Sequence, residues 1–259
     1  MAKSLPFHPD SRTWLINRER LVLLGGAGAA VLQVAHPAVA KGVARHSNFR
    51  SDSTGRLRRT LDAVYAIAFG TSEEIAQTRA QVAAAHKAVR GPGYSAFDPD
   101  AQLWVMATLI MGSVTMFQRF IRPLERHELN DFLAENVAFA EVFGLPPDRL
   151  PTDWSEFESY WEMTINSALL GSDPVCAEVA NAVVHPERPM HMRMLSPVFH
   201  ALAIEFIPPA LQIKLRLEGA VLHPVLWKVL DGVLPSVIPR LPPQFRFAPA
   251  YLKARRAIS

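Results

Sequence analysis

The chain has 259 residues, enough to bury a large core in one domain or two. With 49% apolar and 20% charged residues it is no disordered chain, and a net charge of +3 carried by dispersed cations speaks against a nucleic-acid partner. Its one cysteine, Cys176, rules out a disulfide framework, a zinc cluster and an iron–sulfur site, and is expected to be a buried small hydrophobe.

Helical spacing recurs along the chain and period-2 alternation is absent, so the expected class is all-α. Trp14 to Ala35 reads as the first helix, stopped by His36-Pro37, with a short helix from Ala38 to His46 after it. Within that first run, Gly25, Gly26 and Gly28 follow no strand. They are read as sites of close helix packing and not as a dinucleotide loop. Arg56 to Phe69 forms the next helix, ended by Gly70. Thr71 with Glu74 three residues on is a capping box, opening a helix that runs to about Arg90 and stops at Gly91-Pro92-Gly93. Asp98-Pro99 pairs an N-cap with proline at the first helical position. The helix from there to about Ile121 is the most apolar and belongs at the centre. Glu125 to Val142 follows, then Trp154 to Leu169 capped by Asp153, and then shorter helices between closely spaced prolines. No repeat or composition shift divides the chain, so residues 1–259 are expected to form a single globular multi-helix domain.

The apolar runs Leu21–Ala35 and Leu103–Phe117 are about 15 residues each. A membrane span needs about 20. Both are read as buried helices. The start of the chain lacks a secretory h-region, so the expected location is the cytoplasm, with peripheral membrane contact as a further expectation.

Three stretches carry candidate chemistry. His86 shares a helix face with Ile75, Val82 and Val89, and an imidazole there needs both ring nitrogens satisfied. A metal with an outer acceptor does this, and so does a backbone carbonyl in an ordinary core. Arg56, Arg59 and Thr60 share one face near a helix start. That group suits carboxylates or a bound oxygen species, and equally a solvated basic face. His36 and His46, ten residues apart, lack metal-ligand spacing on one helix. No GxSxG, Walker loop, HExxH or paired ExxH is present.

These stretches together resemble one oxygenase family. It unites the latex-clearing rubber oxygenases with the membrane-bound oxygenase of mycophenolic acid biosynthesis. The resemblance is carried by His36-Pro-Ala-Val-Ala-Lys-Gly-Val-Ala-Arg-His46-Ser-Asn-Phe49, Arg56-Leu-Arg-Arg59-Thr60 and His86-Lys-Ala-Val-Arg90-Gly91. Tyr94-Ser-Ala-Phe-Asp98-Pro99, Leu103-Trp104, Arg122-Pro-Leu124, Gly144-Leu-Pro-Pro147 and the late Pro249-Ala-Tyr251 add to it, so that it spans about residues 14 to 256.

The resemblance implies an all-helical fold around a slot for one non-covalent haem b; the chain has no CxxCH for covalent attachment. It implies His86 as the iron ligand, with Arg56, Arg59, Thr60 and Arg90 around the cofactor. Arg59 and Thr60 would be the catalytic pair. The slot is expected between the His86 helix, the Arg56–Phe69 helix and the Leu103–Phe117 helix. The implied function is a haem-dependent oxygenase acting with dioxygen on an apolar, isoprenoid or unsaturated substrate. The alternatives are a non-catalytic haem sensor or carrier and a haem-free helical interaction protein. Three positions depart from the rubber enzymes: Arg59 replaces a lysine, Ala83 an arginine and Met106 a histidine.

Overall fold

The computed structural model describes residues 6–47, 53–186 and 190–258. It is built almost wholly of helices, with one small hairpin among the described residues. The first helical run is broken into α1 (Arg12–Asn17), a 3₁₀ turn (Arg20–Gly25) and α2 (Gly26–Ala35). The sequence reading had one continuous helix there. The break falls at Glu19, whose extended backbone (ψ 112°) turns its carboxylate into the protein. That carboxylate is fully buried and receives two hydrogen bonds of 2.8 Å from the Arg246 guanidinium. A long-range ion pair thus overrides local helix propensity.

Helix α3 (Pro37–His46) leaves α2 at 101°. His36 sets the corner: its Nδ1 accepts from the Ala38 N–H at 3.3 Å, capping α3. Helices α4 (Ser53–Phe69) and α5 (Ser72–Ala88) follow, and the expected capping box at Thr71 is present in both directions. α5 is two residues shorter than expected. Arg90–Gly91 (β1) instead pairs with Tyr94–Ser95 (β2) around Gly93, whose φ of +75° suits the turn. A Cβ at Gly91 would lie 2.6 Å from the Tyr94 ring, so glycine is required there.

Helix α6 (Pro99–Phe120), opened by Asp98 as expected, supplies residues to all three apolar clusters of the core. Trp104 shows how it is held. Its indole N–H donates to the Leu32 carbonyl at 2.7 Å and its ring stacks on Trp161, centroids 5.3 Å apart. At 22 residues α6 is long and apolar enough to cross a membrane, beyond the 15-residue run counted from sequence. Yet 67% of its apolar window is buried inside the protein, which is how a core helix behaves. Cys176, on a later helix, is fully buried and its thiol is pushed up by desolvation, as a structural cysteine should be.

Helices α7 (Arg126–Phe143) and α8 (Trp154–Ile165) complete the larger apolar cluster. α8 stops at Asn166 rather than Leu169. The proline-rich remainder forms α9 (Pro174–Val184), α10 (Met190–Met194), α11 (Ser196–Ile204), α12 (Pro209–Leu215) and α13 (His223–Val237). A 3₁₀ turn (Ile238–Arg240), α14 (Pro243–Arg246) and α15 (Pro249–Ile258) end the fold.

The early glycines separate by environment. A Cβ on Gly28 would meet Phe206 at 2.5 Å and one on Gly25 the Gly112 carbonyl at 3.1 Å, whereas one on Gly26 meets nothing within 4 Å. Gly25 and Gly28 are therefore packing glycines, as read from the sequence, and Gly26 is not. Gly28→Ala is expected to lower stability by about 1–3 kcal/mol through overpacking. Gly26→Ala, in helical backbone with open space around it, should raise it by up to about 1 kcal/mol. Denaturant melts of the two variants check both signs.

Candidate active site

A cavity of about 840 Å³ lies between α4, α5 and α15, with Phe143 at the end of α7 on one side. α5 presents Glu74, Thr78, Gln81 and Ala85 to it, spaced four, three and four residues apart as one helix face requires. His86 follows at the far end of that face. From α4 come Arg59, Thr60, Ala63 and Ala66, and from α15 Ala250, Lys253, Ala254 and Ala257. No α6 residue lines the cavity. The expected third wall, the Leu103–Phe117 helix, is replaced by α15, because α6 is committed on its faces to the core.

α15 reaches this position through two anchors. The buried Glu19–Arg246 pair fixes the chain just before it, and the Ala248 N–H donates to the Arg18 carbonyl at 2.8 Å. Tyr251 then packs edge-on against Trp14 and Phe69, with centroids 5.6 and 5.7 Å away. The wall thus belongs to the same rigid cluster as α1 and α4.

His86 is half-buried, with its ring edge-on to Phe97 at 6.0 Å. Its Nδ1 is buried and has no hydrogen-bond partner. Burial pushes the imidazole below its ordinary value of 6.5, and the Phe143 carbonyl opposes this shift. Gln102 fixes that carbonyl: its side-chain amide donates to Phe143 O at 3.0 Å and to Ala96 O at 2.8 Å. Tyr65 also lines the cavity, and burial raises its phenol above the ordinary range.

The structure therefore brings three of the sequence candidates, Arg59, Thr60 and His86, to one cavity. Arg90 is not among them. α5 ends before it, and it sits exposed on β1 outside the lining. The Arg56 side chain lies outside the described residues. His36 caps α3, and His46 pairs with Tyr94 through Nε2 and the phenol oxygen at 2.9 Å, away from the cavity. Ala83 and Met106 do not line it either, and Met106 is buried in the core. Lys253 and Phe143 were not singled out from the sequence, Glu74 was read only as a capping residue, and the alanines of α15 were not read as a cavity wall. The signal was there for the last: Ala250, Ala254 and Ala257 recur on one helical face, four and three residues apart.

The profile of one family, described as ER-bound oxygenase mpaB/B'/Rubber oxygenase, catalytic domain, matches residues 13–234. The chain belongs to that family. The matched span holds α4, α5 and His86, while α15, the third wall of this mpaB/rubber oxygenase domain's cavity, falls after it. Two uncharacterised mycobacterial proteins are similar to it: Mb2261 of Mycobacterium bovis and Rv2237 of Mycobacterium tuberculosis. Each is 25% identical over 202 residues, covering 74% of this chain and 79% of the relative. No solved structure matches.

Two outcomes follow from this geometry. Arg246→Met leaves the buried Glu19 carboxylate with only Arg18, 3.5 Å away, and should cost up to about 3–5 kcal/mol, and Glu19→Gln added to it should recover part of the loss. Thermal melts of the single and double variants measure the coupling. For His86 the folded pKa lies below 6.5, so its neutral form contributes stability above that pH. The contribution is lost as pH falls through the lowered value. A proton-NMR titration of the His86 ring should find it neutral at pH 6.5, and His86→Leu should flatten the acid limb of the stability profile.

Proposed function

We propose that this chain is a haem b-dependent oxygenase, with the α4–α5–α15 cavity as the place for the cofactor and His86 as the residue that would hold its iron. The observation that carries the reading is the buried, unpartnered Nδ1 of His86 in the wall of that cavity. Leaving such a nitrogen unsatisfied costs about 1–3 kcal/mol, and a metal held by the other ring nitrogen would fix the ring so that Nδ1 can donate to an outer acceptor, the Phe143 carbonyl being the one beside it. The cavity volume of about 840 Å³ falls within the ~300–1,000 Å³ of small-molecule and cofactor sites. Among the described residues no group of three His, Cys, Asp or Glu side chains stands ready for a bare metal ion. A porphyrin brings nitrogen donors of its own and would ask the protein for as little as one side chain to hold the iron. The residues present fit that requirement.

When bound, haem would supply the oxygen chemistry itself. The chain's own residues have simpler tasks. Burial keeps His86 neutral at neutral pH, leaving a ring lone pair to donate. Arg59 and Lys253 are the cationic side chains of the lining and suit carboxylates such as propionates. Thr60 offers a hydroxyl next to Arg59, and this pair is our assignment for orienting dioxygen and substrate. The alanines of all three helices leave room along the walls for a flat macrocycle or an unsaturated chain. An apolar, isoprenoid or unsaturated lipid is the substrate class we favour, in keeping with the oxygenases named in the family's description.

The test is reconstitution with haem, followed by absorption spectroscopy. The wild-type chain should bind one haem with a Soret band. His86→Ala should bind at least about tenfold more weakly or shift the band, with its cofactor-free melting temperature unchanged or raised because the orphaned nitrogen is gone. Haem-loaded protein should then consume oxygen with unsaturated lipids, and Arg59→Ala should slow this. Equal haem spectra for wild type and His86→Ala would remove the ligand assignment. A loaded protein inert to oxygen would leave a haem carrier or sensor in place of an oxygenase.

A further inference from the structure

Helix α13 is apolar on both sides, and only one side is covered. Its inner face is seated firmly: Trp227 is buried, donates to the Ala201 carbonyl at 3.0 Å and stacks on Phe120. Leu226, Leu230 and Leu234 pack beside it. On the outer face Val225, Val229 and Val233, four residues apart, are 64%, 54% and 47% exposed. Leu222 and Val237 extend the same exposed line at its two ends. Valine is among the residues most often buried, so an ordered exposed stripe of this kind marks a surface that meets something apolar.

Charge decides between occupants. The ionisable side chains of this helix and the 3₁₀ turn after it, the terminal His223 aside, are Lys228, Asp231 and Arg240. Asp231 is already gripped by both arms of Arg119, at 2.6 and 2.7 Å. Lys228 has no ion-pair partner among the described residues, and Arg240 donates only to the Ser236 carbonyl. The border of the stripe therefore carries uncompensated positive charge. A second copy docked face to face would bring these cations together, whereas anionic headgroups would pair with them while the valines enter the acyl boundary. The length agrees: 15 residues span about 22 Å, too short to cross a bilayer core of about 30 Å but suited to lying in its plane.

We propose that the outer face of α13 is a peripheral docking surface for an anionic lipid bilayer. This does not depend on the cofactor or on the α4–α5–α15 cavity. The experiment is co-sedimentation of the full chain with vesicles of phosphatidylcholine alone or mixed with phosphatidylglycerol. The wild type should sediment with the mixed vesicles, and added salt should weaken this. Lys228→Gln should weaken binding about fivefold on mixed vesicles and leave binding to phosphatidylcholine unchanged. Val225→Asp with Val229→Asp should abolish it, while the far-ultraviolet spectrum and melting temperature stay those of the wild type because both sites are exposed. If that double variant misfolds, Val229→Ser and Lys228→Gln decide the matter. The proposal is overturned if the wild type ignores both vesicle types or if the valine variants bind as well as the wild type. Light scattering that shows a lipid-free dimer broken by Val229→Ser would overturn it in favour of self-association.

Discussion

The buried contact between Glu19 and Arg246 organises more of this molecule than any other single interaction. It joins residues 227 positions apart and takes a carboxylate wholly out of water. An ion pair so placed contributes little net stability but is costly to break, so it acts as a constraint on where both segments can lie. At one end it interrupts what would be a single long helix. At the other it delivers the last helix to the flank of α4 and α5. The candidate site exists in its present form because of that delivery.

The site itself is assembled from elements of unequal firmness. α4 and α15 share an aromatic cluster around Tyr251, whereas α5 buries only Thr78 along its length. The helix bearing His86 is thus the least embedded part of the cavity, held by its capping box and by its contacts with α4 and α7. Regions with few buried apolar contacts open most easily, and functional segments are drawn from them. A ligand bridging His86 to the other two walls would tighten this helix as it bound.

Much of this was legible in the sequence, and what was not has a physical reason in each case. Helix starts marked by local chemistry, Thr71 with Glu74 and Asp98 with Pro99, were read correctly because capping depends on a few adjacent residues. The break at Glu19 was invisible because its cause is an arginine at the far end of the chain. The end of α5 was placed beyond Val89 because the hairpin that replaces its last residues turns on Tyr94 packing over Gly91, a contact with no periodic signature. Of the site candidates, His86, Arg59 and Thr60, to which family resemblance and helix-face geometry pointed, line one cavity. Arg90 was carried along with them although the chain has already left the helix there. Assigning α6 as a wall followed from ranking it the most apolar helix, yet that apolarity serves the core. The wall that α15 gives the cavity consists largely of alanines, which periodicity analysis passes over because they fit any face.

Those alanines have a consequence of their own. The backbone of α15 is fixed by Arg246 and Tyr251, neither of which points its chemistry at the cavity lining. Ala250, Ala254 and Ala257 are therefore methyl groups on a scaffold that is held in register from elsewhere. Exchanging one for a larger or smaller side chain alters the bore of the slot without asking the core to move. The side chains of α4 and α5 that face the cavity and the helix that sets its width are thus held by separate parts of the fold.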